Sequence, residues 1–226
     1  MDYSDTTVII PVKDEPAVGM VARQVLKELK NCKVIVIYKD EADRDNVGFS
    51  DRNMTVMRQK GSGKGVACVQ AARKVKTDIL CFIDGDATYE ARDLKKAVAL
   101  VRGGADMALG NRLNRLDREA MPAFIEVGNR IITQTANLLY GLRLTDSQSG
   151  LRAIRKGAFD RLQLSEQFFG IETEMNVMAI KNGFKVVETP IGYHKRIGSS
   201  KQVKTLDGVK LLLTDFKFLF RKPSGE

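Results

Sequence analysis

The sequence is short of the residues that stack nucleic-acid bases, form disulfides or hold zinc. It has no tryptophan and one histidine, and aromatic residues make up only 7% of its 226 residues. Proteins that bind single-stranded nucleic acid stack bases on aromatic side chains among basic ones, so this scarcity argues against a nucleic-acid-binding module. The three cysteines are odd in number and lack a CxxC spacing, which indicates neither a disulfide framework nor a zinc site. A reducing cytoplasm suits such a chain best.

Long apolar runs are absent as well. No stretch approaches the ~18 apolar residues that a membrane span requires. The opening segment, MDYSDTTVIIPV, contains no basic part that leads into a long apolar one. We therefore expect any contact with a lipid bilayer to be peripheral, on the cytoplasmic face of a membrane.

Positive charge is plentiful. The formal net charge is +9 and the sequence pI is about 9.5, which favours an anionic partner such as nucleic acid, a phosphorylated substrate or an acidic membrane surface. Charge alone does not rank these three. The 43% of hydrophobic residues is enough for one substantial core.

Short β-rich runs alternate with helical patterns in the first half of the chain. The predicted strands are TVIIPV (7–12), KVIVIY (33–38), MTVM (54–57), DILCFI (78–83) and ADMALG (105–110). The predicted helices between them are AVGMVARQVLKELK, GVACVQAARKV and ARDLKKAVALV, with apolar residues three and four positions apart. This alternation predicts an α/β fold in which helices flank a mixed, largely parallel sheet.

The pattern changes after about residue 111. A helix is predicted at AFIEVGNRIITQTANLLYG and ended by Gly141, followed by a second helix around IETEMNVMAIKNG and a strand pair near KVVETPIGYH. No repeat or low-complexity linker separates the halves, so we expect a single domain over 1–226. Its parts would be a nucleotide-binding half (1–110), an acceptor half (111–204) and a basic amphipathic helix (205–222). That helix either packs on the sheet or docks on a membrane surface.

The segment CFIDGDATYE, residues 81–90, places two carboxylates at the end of a predicted strand. Asp84 and Asp86 would stand at the carboxyl edge of the sheet, where open α/β sheets bind ligands. If the backbone stays extended, both side chains point to the same side, and Gly85 lets a substrate approach the main chain. Mg²⁺ and Mn²⁺ prefer such oxygen ligands, so the pair suits a metal diphosphate. A solvated turn without function is the alternative.

The glycine-rich segment KGSGKG, residues 60–65, joins the third strand to a helix. Its backbone amides, with Lys60 and Lys64, are suited to a phosphate. It matches neither the P-loop spacing nor the dinucleotide-binding spacing, since Val66 occupies the sixth position of the latter. A flexible turn is the alternative interpretation.

Seven segments, in order and across nearly the whole chain, carry a family resemblance. They are VIIPVKDE, KGSGKGVA, DGDATY, GNR, DSQSGLRA, GIETEM and ETPIGYHKRIGSSK. Together they resemble family 2 glycosyltransferases of the GT-A fold, and in particular the polyprenyl-phosphate group that includes dolichyl-phosphate mannose and glucose synthases. The resemblance implies inverting, metal-dependent transfer of a sugar from a nucleotide-sugar, either a UDP-sugar or GDP-mannose, to a polyprenyl (dolichyl) phosphate. An anionic membrane surface is the implied location, and a separate membrane subunit is left open as a partner.

The resemblance also implies roles for individual residues. The metal ligands, with Mg²⁺ or Mn²⁺ as cofactor, are Asp84 and Asp86. The nucleotide-sugar site comprises these two with Pro11, Lys13, Glu15, Asp40, Lys60, Lys64, Arg196, Ser200 and Lys201. The acceptor site comprises Arg112, Arg130, Asp146, Ser149 and Arg152, with Gly150 in the same motif. The catalytic residues are Asp86, Glu174 and Arg196.

One segment departs from the family pattern. After its second strand the family usually carries an Asp-Asp-Gly-Ser type motif that helps to read the base and ribose. Here the corresponding residues are Tyr38, Lys39, Asp40 and Glu41. We expect Asp40 to take over this role, or the nucleotide to be held differently.

Whether the transfer reaction needs a general base depends on the chemistry of the acceptor. A phosphate nucleophile is already ionised near neutrality, whereas a sugar hydroxyl requires a base, so transfer to a soluble or protein-linked hydroxyl is the alternative function. Glu172 and Glu174 are the base candidates, but residues two apart on a helix point in different directions, and the family match favours Glu174. His194 is either a third metal ligand or a solvated histidine. A catalytically inactive scaffold with the same fold is a further alternative.

Overall fold

The chain is described by a computed structural model over residues 1–115, 119–198 and 205–223. The described strands are β1 (Thr6–Val12), β2 (Lys33–Tyr38), β3 (Met54–Arg58), β4 (Ile79–Phe82), β5 (Met107–Asn111), β6 (Arg152–Arg155) and β7 (Val186–Pro190). The described helices are α1 (Val18–Glu28), α2 (Glu41–Val47), α3 (Lys64–Ala72), α4 (Leu94–Arg102), α5 (Ala123–Tyr140), α6 (Lys156–Leu162), α7 (Ile171–Lys181) and α8 (Thr205–Lys217).

All seven strands belong to one sheet, in the order β3-β2-β1-β4-β6-β5-β7. Every neighbouring pair is parallel except the two pairs that involve β6, which runs antiparallel to β4 and β5. The sheet is therefore mixed and largely parallel, as predicted. Because β5, β6 and β7 continue the sheet begun by β1 to β4, both halves of the chain share one architecture.

Helices cover both faces of the sheet. Val8, Ile10 and Val12 of β1 pack into the cluster formed with α1 and α4. Ile9, between them, packs into the other cluster, which includes residues of α3, α6 and α7. This alternation follows from the period of two along a strand. The continuous apolar run of β1 thus reflects burial on both faces, as in other parallel sheets.

Helices α1 and α5 follow from the spacing of their apolar residues. On α1, Val18, Val21, Ala22 and Val25 are buried on one face, which is the i, i+3, i+4, i+7 pattern of an amphipathic helix. Helix α5 ends at Gly141, whose φ of 68° is the left-handed conformation that glycine adopts without a Cβ penalty.

Three short elements were not predicted, and the expected strand pair was wrong in part. Near residues 185–194 there is one strand, β7, and a single bridge between Tyr89 and Tyr193. The missed elements are α2, β6 and α6, each of four to seven residues. A segment of one or two turns, or a strand of four residues, is too short to show a period. Helix α8 ends at Lys217, before the predicted end at residue 222.

Within the described ranges, no helix is long and apolar enough to cross a bilayer.

Candidate active site

The carboxylate pair lies just beyond β4, at the carboxyl edge of the sheet. Gly85, between the two aspartates, packs so closely on the end of β1 that a Cβ there would lie 2.5 Å from Cγ1 of Val12. Only glycine allows this approach. The turn therefore holds Asp84 and Asp86 against the first strand, where the sequence predicted a ligand site.

Asp84 is joined to α3 and α7 through one ammonium group. Nζ of Lys64 lies 2.6 Å from Oδ1 of Asp84 and 2.7 Å from Oε1 of Glu172. Burial by itself would lower the pKa of Lys64, but the two carboxylates outweigh it and hold that pKa well above its usual value. Lys64 is therefore a fixed positive charge beside Asp84.

Asp86 is held by the turn that follows it. Its Oδ1 accepts the backbone N–H of Thr88 at 3.1 Å and the hydroxyl of the same residue at 2.7 Å. Its Oδ2 lies 3.4 Å from Nη1 of Arg196. Burial, reinforced by the negative charge of Asp84, raises the pKa of Asp86. A divalent cation held by the pair would relieve the same repulsion.

The segment that carries Arg196 is attached to the Asp-Gly-Asp turn by its backbone. The N–H of His194 donates to O of Thr88 at 2.9 Å, and the N–H of Ile197 donates to O of Asp86 at 3.1 Å. These bonds place the guanidinium of Arg196 over Asp86.

Glu15, just beyond β1, is the other partner of Arg196. The guanidinium pairs with Oε1 of Glu15, whereas Oε2 is buried without a hydrogen-bond partner among the described residues. Burial raises the pKa of Glu15 to about 7, against the opposing effect of Arg196. Three carboxylates and two cations are thus gathered at the ends of β1 and β4.

A further group of acids lies next to Glu15. Oxygen atoms of Asp14, Asp40 and Asp43 all lie within 4.8 Å of one another. Asp43 accepts the backbone N–H of Glu15 at 2.9 Å. Asp40, predicted to take over nucleotide reading, is thereby placed beside the carboxylate site, at the end of β2.

The donor atoms at Asp84 and Asp86 fit a hard divalent cation. Both residues offer carboxylate oxygens, which Mg²⁺ and Mn²⁺ prefer. Gly150 leaves room beside them, since a Cβ at that position would lie 2.4 Å from Oδ2 of Asp84. His194 does not join the pair: its Nε2 lies 2.7 Å from Oε1 of Glu90, and its side chain is half-exposed.

The two glutamates on α7 are separated as helical geometry requires. Glu172 reaches Lys64 and so faces the carboxylate pair. Glu174 is fully buried elsewhere, where its carboxylate accepts the backbone N–H groups of Ser165 and Glu166 and pairs with Arg221. The structure therefore brings Glu172 to the site and leaves out Glu174, although the family match favoured the latter.

The predicted acceptor residues Arg112 and Asp146 form an internal ion pair. Nε and Nη2 of Arg112 each lie 2.7 Å from a carboxylate oxygen of Asp146, and both residues are buried. The guanidinium also lies 5.3 Å from the centre of the Tyr193 ring, close enough for a cation–π contact. This pair joins the end of β5 to the segment before β6.

Arg152 and Ser149 are also internal. Arg152 is 1% exposed, and its guanidinium donates to O of Ser149 at 2.6 Å and to Oδ1 of Asn176 at 3.2 Å. Burial lowers the pKa of Arg152. Oγ of Ser149 has no hydrogen-bond partner within the described ranges. These contacts support the segment that carries Gly150.

Other predicted residues lie around the rim or outside the described ranges. Pro11 pairs with Ile37 within the sheet, and Lys13 and Lys60 are exposed. Arg130 is on α5 and pairs with Glu126 at 2.8 Å. Ser200 and Lys201 lie outside the described residues.

The glycines of KGSGKG have a packing role that the sequence did not indicate. A Cβ at Gly63 would lie 2.1 Å from O of Gln167, and one at Gly65 would lie 2.0 Å from O of Glu166. The segment before α7 therefore presses on this loop. As a result, Lys64 at the start of α3 comes within reach of Glu172 on α7.

Solved structures of other proteins share this architecture. The largely parallel sheet with a reversed sixth strand and an Asp-Gly-Asp pair after β4 defines a GT-A type glycosyltransferase fold. Glucosyl-3-phosphoglycerate synthase from Mycobacterium tuberculosis, solved with Mn²⁺, uridine diphosphate and phosphoglyceric acid, superposes with a TM-score of 0.74 and 15% identity over 97% of this chain and 80% of its own. At that identity the likeness concerns the fold alone.

The chain belongs to glycosyl transferase family 2, whose profile matches residues 7–163. It is 28% identical to the low-salt glycan biosynthesis hexosyltransferase Agl6 of Haloferax volcanii, over 96% of this chain and 55% of the relative. It is 26% identical to the dolichyl-phosphate hexose transferase of the same organism, over 88% of this chain and 87% of the relative. This chain thus spans about half the length of Agl6. These matches confirm the resemblance to family 2 and to its polyprenyl-phosphate group.

Proposed function

We propose that the chain transfers a sugar from a nucleotide-sugar to a polyprenyl phosphate, with inversion and with Mg²⁺ or Mn²⁺ as cofactor. The observation that carries this proposal is the carboxylate pair Asp84 and Asp86, with Lys64 beside the first and Arg196 beside the second. Such an arrangement suits a cation and the diphosphate that it binds. The similarity to a dolichyl-phosphate hexose transferase supports the lipid phosphate as acceptor.

The divalent ion would be held by Asp84 and Asp86 and would neutralise charge that develops on the departing nucleoside diphosphate. Lys64 and Arg196 are positioned to add fixed positive charge next to it. Such preorganised charges cost no reorganisation during the reaction. Glu15 and the Thr88 turn orient Arg196 and Asp86 respectively.

The acceptor phosphate requires no strong base, because it is already ionised near neutrality. We place its entry on the side of the Arg112–Asp146 pair and Arg130, and we place the reaction at the cytoplasmic face of an anionic membrane. Ser200 and Lys201 complete the proposed donor site from the family match.

The position of Glu172 favours a second candidate, transfer to a sugar hydroxyl. Glu172 is 7% exposed, and Lys64 bridges its carboxylate to that of Asp84. A carboxylate at that place is suited to accept a proton from a hydroxyl nucleophile. The two candidates differ in whether the acceptor must be a phosphate.

The test is a transfer assay with purified protein, Mn²⁺ or Mg²⁺ and dolichyl phosphate. UDP-glucose, UDP-N-acetylglucosamine and GDP-mannose are supplied in separate reactions, and mass spectrometry detects glycosylated lipid. We expect product from one donor, its loss in Asp86→Ala, and its retention in the control Asp160→Ala, an exposed position on α6. Donor hydrolysis without lipid product would contradict the acceptor and favour the hydroxyl candidate.

A further inference from the structure

Helix α5 carries an apolar stripe on its outward face. Phe124, Val127, Ile131 and Leu138 are each more than half exposed, and their spacing puts them on one side of the helix. The buried side is formed by other residues, including Ile132 and Ala136. Helix α5 is therefore apolar on both sides, whereas a helix at a protein surface usually has a polar outer face.

Two neighbouring segments carry further exposed apolar residues. Helices α5 and α8 pack on each other, and both pack on α7. The segment before α7 adjoins α8, since a Cβ at Gly170 would lie 2.8 Å from Cγ2 of Thr214. The exposed apolar residues contributed by these two segments are Phe168, Phe169, Leu213, Phe216 and Phe220.

We call the apolar residues of α5, 168–169 and 213–220 the apolar face. It holds nine of the fourteen large hydrophobic side chains that are exposed in the described part of the chain. Single exposed apolar residues are ordinary, but a concentration of this kind on neighbouring segments marks a contact with protein or membrane. The concentration on one side therefore requires an occupant.

Charge around the apolar face favours a lipid surface of negative charge. The segments that carry it, with the residues that follow each helix, contain five cations: Arg130, Arg143, Lys217, Arg221 and Lys222. Three of them pair with carboxylates, Arg130 with Glu126, Lys217 with Glu166 and Arg221 with Glu174. Arg143 and Lys222 are exposed and leave an excess of positive charge among the described side chains. Aromatic and aliphatic side chains rimmed by Lys and Arg are typical of segments that lie in the membrane interface.

The apolar face is connected to the proposed acceptor site through α5. On the inward side of this helix, Oγ1 of Thr133 lies 2.9 Å from Oγ of Ser147 and accepts its backbone N–H at 3.0 Å. Ser147 follows Asp146, the partner of Arg112. A bilayer in contact with the outward side would thus lie next to the site where we place the acceptor phosphate.

We infer that the apolar face docks the protein on an anionic bilayer, with the outward side of α5 as its main contact. The inference rests on the proposed function, because the tail of a polyprenyl phosphate stays in the bilayer while its phosphate enters the site. It goes beyond docking through the C-terminal helix, since α5 supplies four of the nine side chains.

The test is co-sedimentation with sucrose-loaded vesicles of phosphatidylcholine alone or with phosphatidylglycerol, in the absence of donor and acceptor. The variant is Ile131→Glu/Leu138→Glu. The matched control is Met20→Glu/Leu100→Glu, which places two glutamates at exposed apolar positions of α1 and α4, on the other face of the sheet. Both doubles start from exposed side chains, so both are expected to fold, which circular dichroism checks.

We expect the native protein to bind the anionic vesicles and the control to bind equally. The Ile131/Leu138 variant should lose at least about tenfold in partition coefficient, because apolar insertion is replaced by two charges. Absence of native binding, or equal binding of the two doubles, overturns the inference. The inference is also overturned if light scattering shows a native dimer, Ile131→Glu/Leu138→Glu is a monomer, and the native protein does not bind vesicles.

The result of the vesicle test can be distinguished from the result of the transfer assay. Vesicle binding without glycolipid product would retain the docking surface and reject the reaction. Product from detergent-dispersed dolichyl phosphate without vesicle binding would retain the reaction and reject the docking surface.

Discussion

Asp215 on α8 should make the stability of the fold depend on pH in an unusual direction. Its side chain is fully buried, and neither carboxylate oxygen has a hydrogen-bond partner in the described ranges. Burial raises the pKa of Asp215 from 3.8 to about 7. The folded protein therefore keeps this proton up to about pH 7, whereas the unfolded chain releases it near pH 4.

The sign and the size of the pH effect on stability follow from the difference between the folded and unfolded pKa of Asp215. Stability is greatest below the unfolded pKa, falls as pH rises through the interval, and is constant above the folded pKa. A tenfold difference in proton affinity corresponds to about 1.4 kcal/mol, so the full interval corresponds to about 4 kcal/mol and the part between pH 5 and pH 8 to about 3 kcal/mol. Asp215→Asn removes the titration and should remove that loss.

The assay is urea unfolding of the native protein and of Asp215→Asn at pH 5 and at pH 8. Glu15, whose pKa is also raised to about 7, contributes to both proteins, so the difference between them isolates Asp215. Asp45→Asn, at an exposed position on α2, should keep the native pH dependence. Identical pH dependence in the native protein and Asp215→Asn would refute the reasoning.

Three further predictions concern the carboxylate site and Glu174, which lies away from it on α7. Gly150→Ala would place a Cβ 2.4 Å from Oδ2 of Asp84 and should weaken Mn²⁺–nucleotide binding by about tenfold or more, as outer-sphere changes do. Calorimetric titration with Mn²⁺ and UDP checks this, and native affinity would contradict the assigned metal site. Glu172→Gln should lower kcat about tenfold or more, by loosening Lys64 beside Asp84. Glu174→Gln should instead leave kcat near native and lower the free energy of unfolding by about 2 kcal/mol, because Arg221 and two backbone N–H groups lose a charged acceptor. Loss of turnover in Glu174→Gln at native stability would reverse this assignment.

Much of the first half of the fold could be predicted because its signals are local. The runs that became β1, β2 and β4 are continuous and apolar, and the helices between them show the helical period over several turns. The place of Asp84 and Asp86 followed from the same reasoning, since the end of an apolar run is the end of a strand.

The second half was harder to predict because its elements depend on distant partners. Strand β6 has only four residues and is formed by pairing with β4 and β5 on either side. Arg152, its first residue, is a cation in the interior, where composition alone would place an apolar residue. Burial of a charge depends on groups that surround it in space, here Asn176 and the carbonyl of Ser149.

At the candidate active site, too, the sequence predicted some features and tertiary packing decided others. The sequence offered Glu172 and Glu174 as base candidates, and helical geometry predicted that the two would not both face one substrate. The family match favoured Glu174, but the choice depended on which side of α7 faces the sheet. The close approach of Gly63 and Gly65 to residues 166–167 settles that orientation, and no local pattern encodes it.

By itself, the sequence determined the α/β class, the family and the Asp-Gly-Asp pair at a strand end, because these depend on neighbouring residues and on ordered motifs. Only the tertiary structure decided that Lys64 joins Asp84 to Glu172, that Arg112 is bound by Asp146, and that α5 is apolar on its outer side. Each of these depends on segments far apart in the chain that packing brings within a few ångströms.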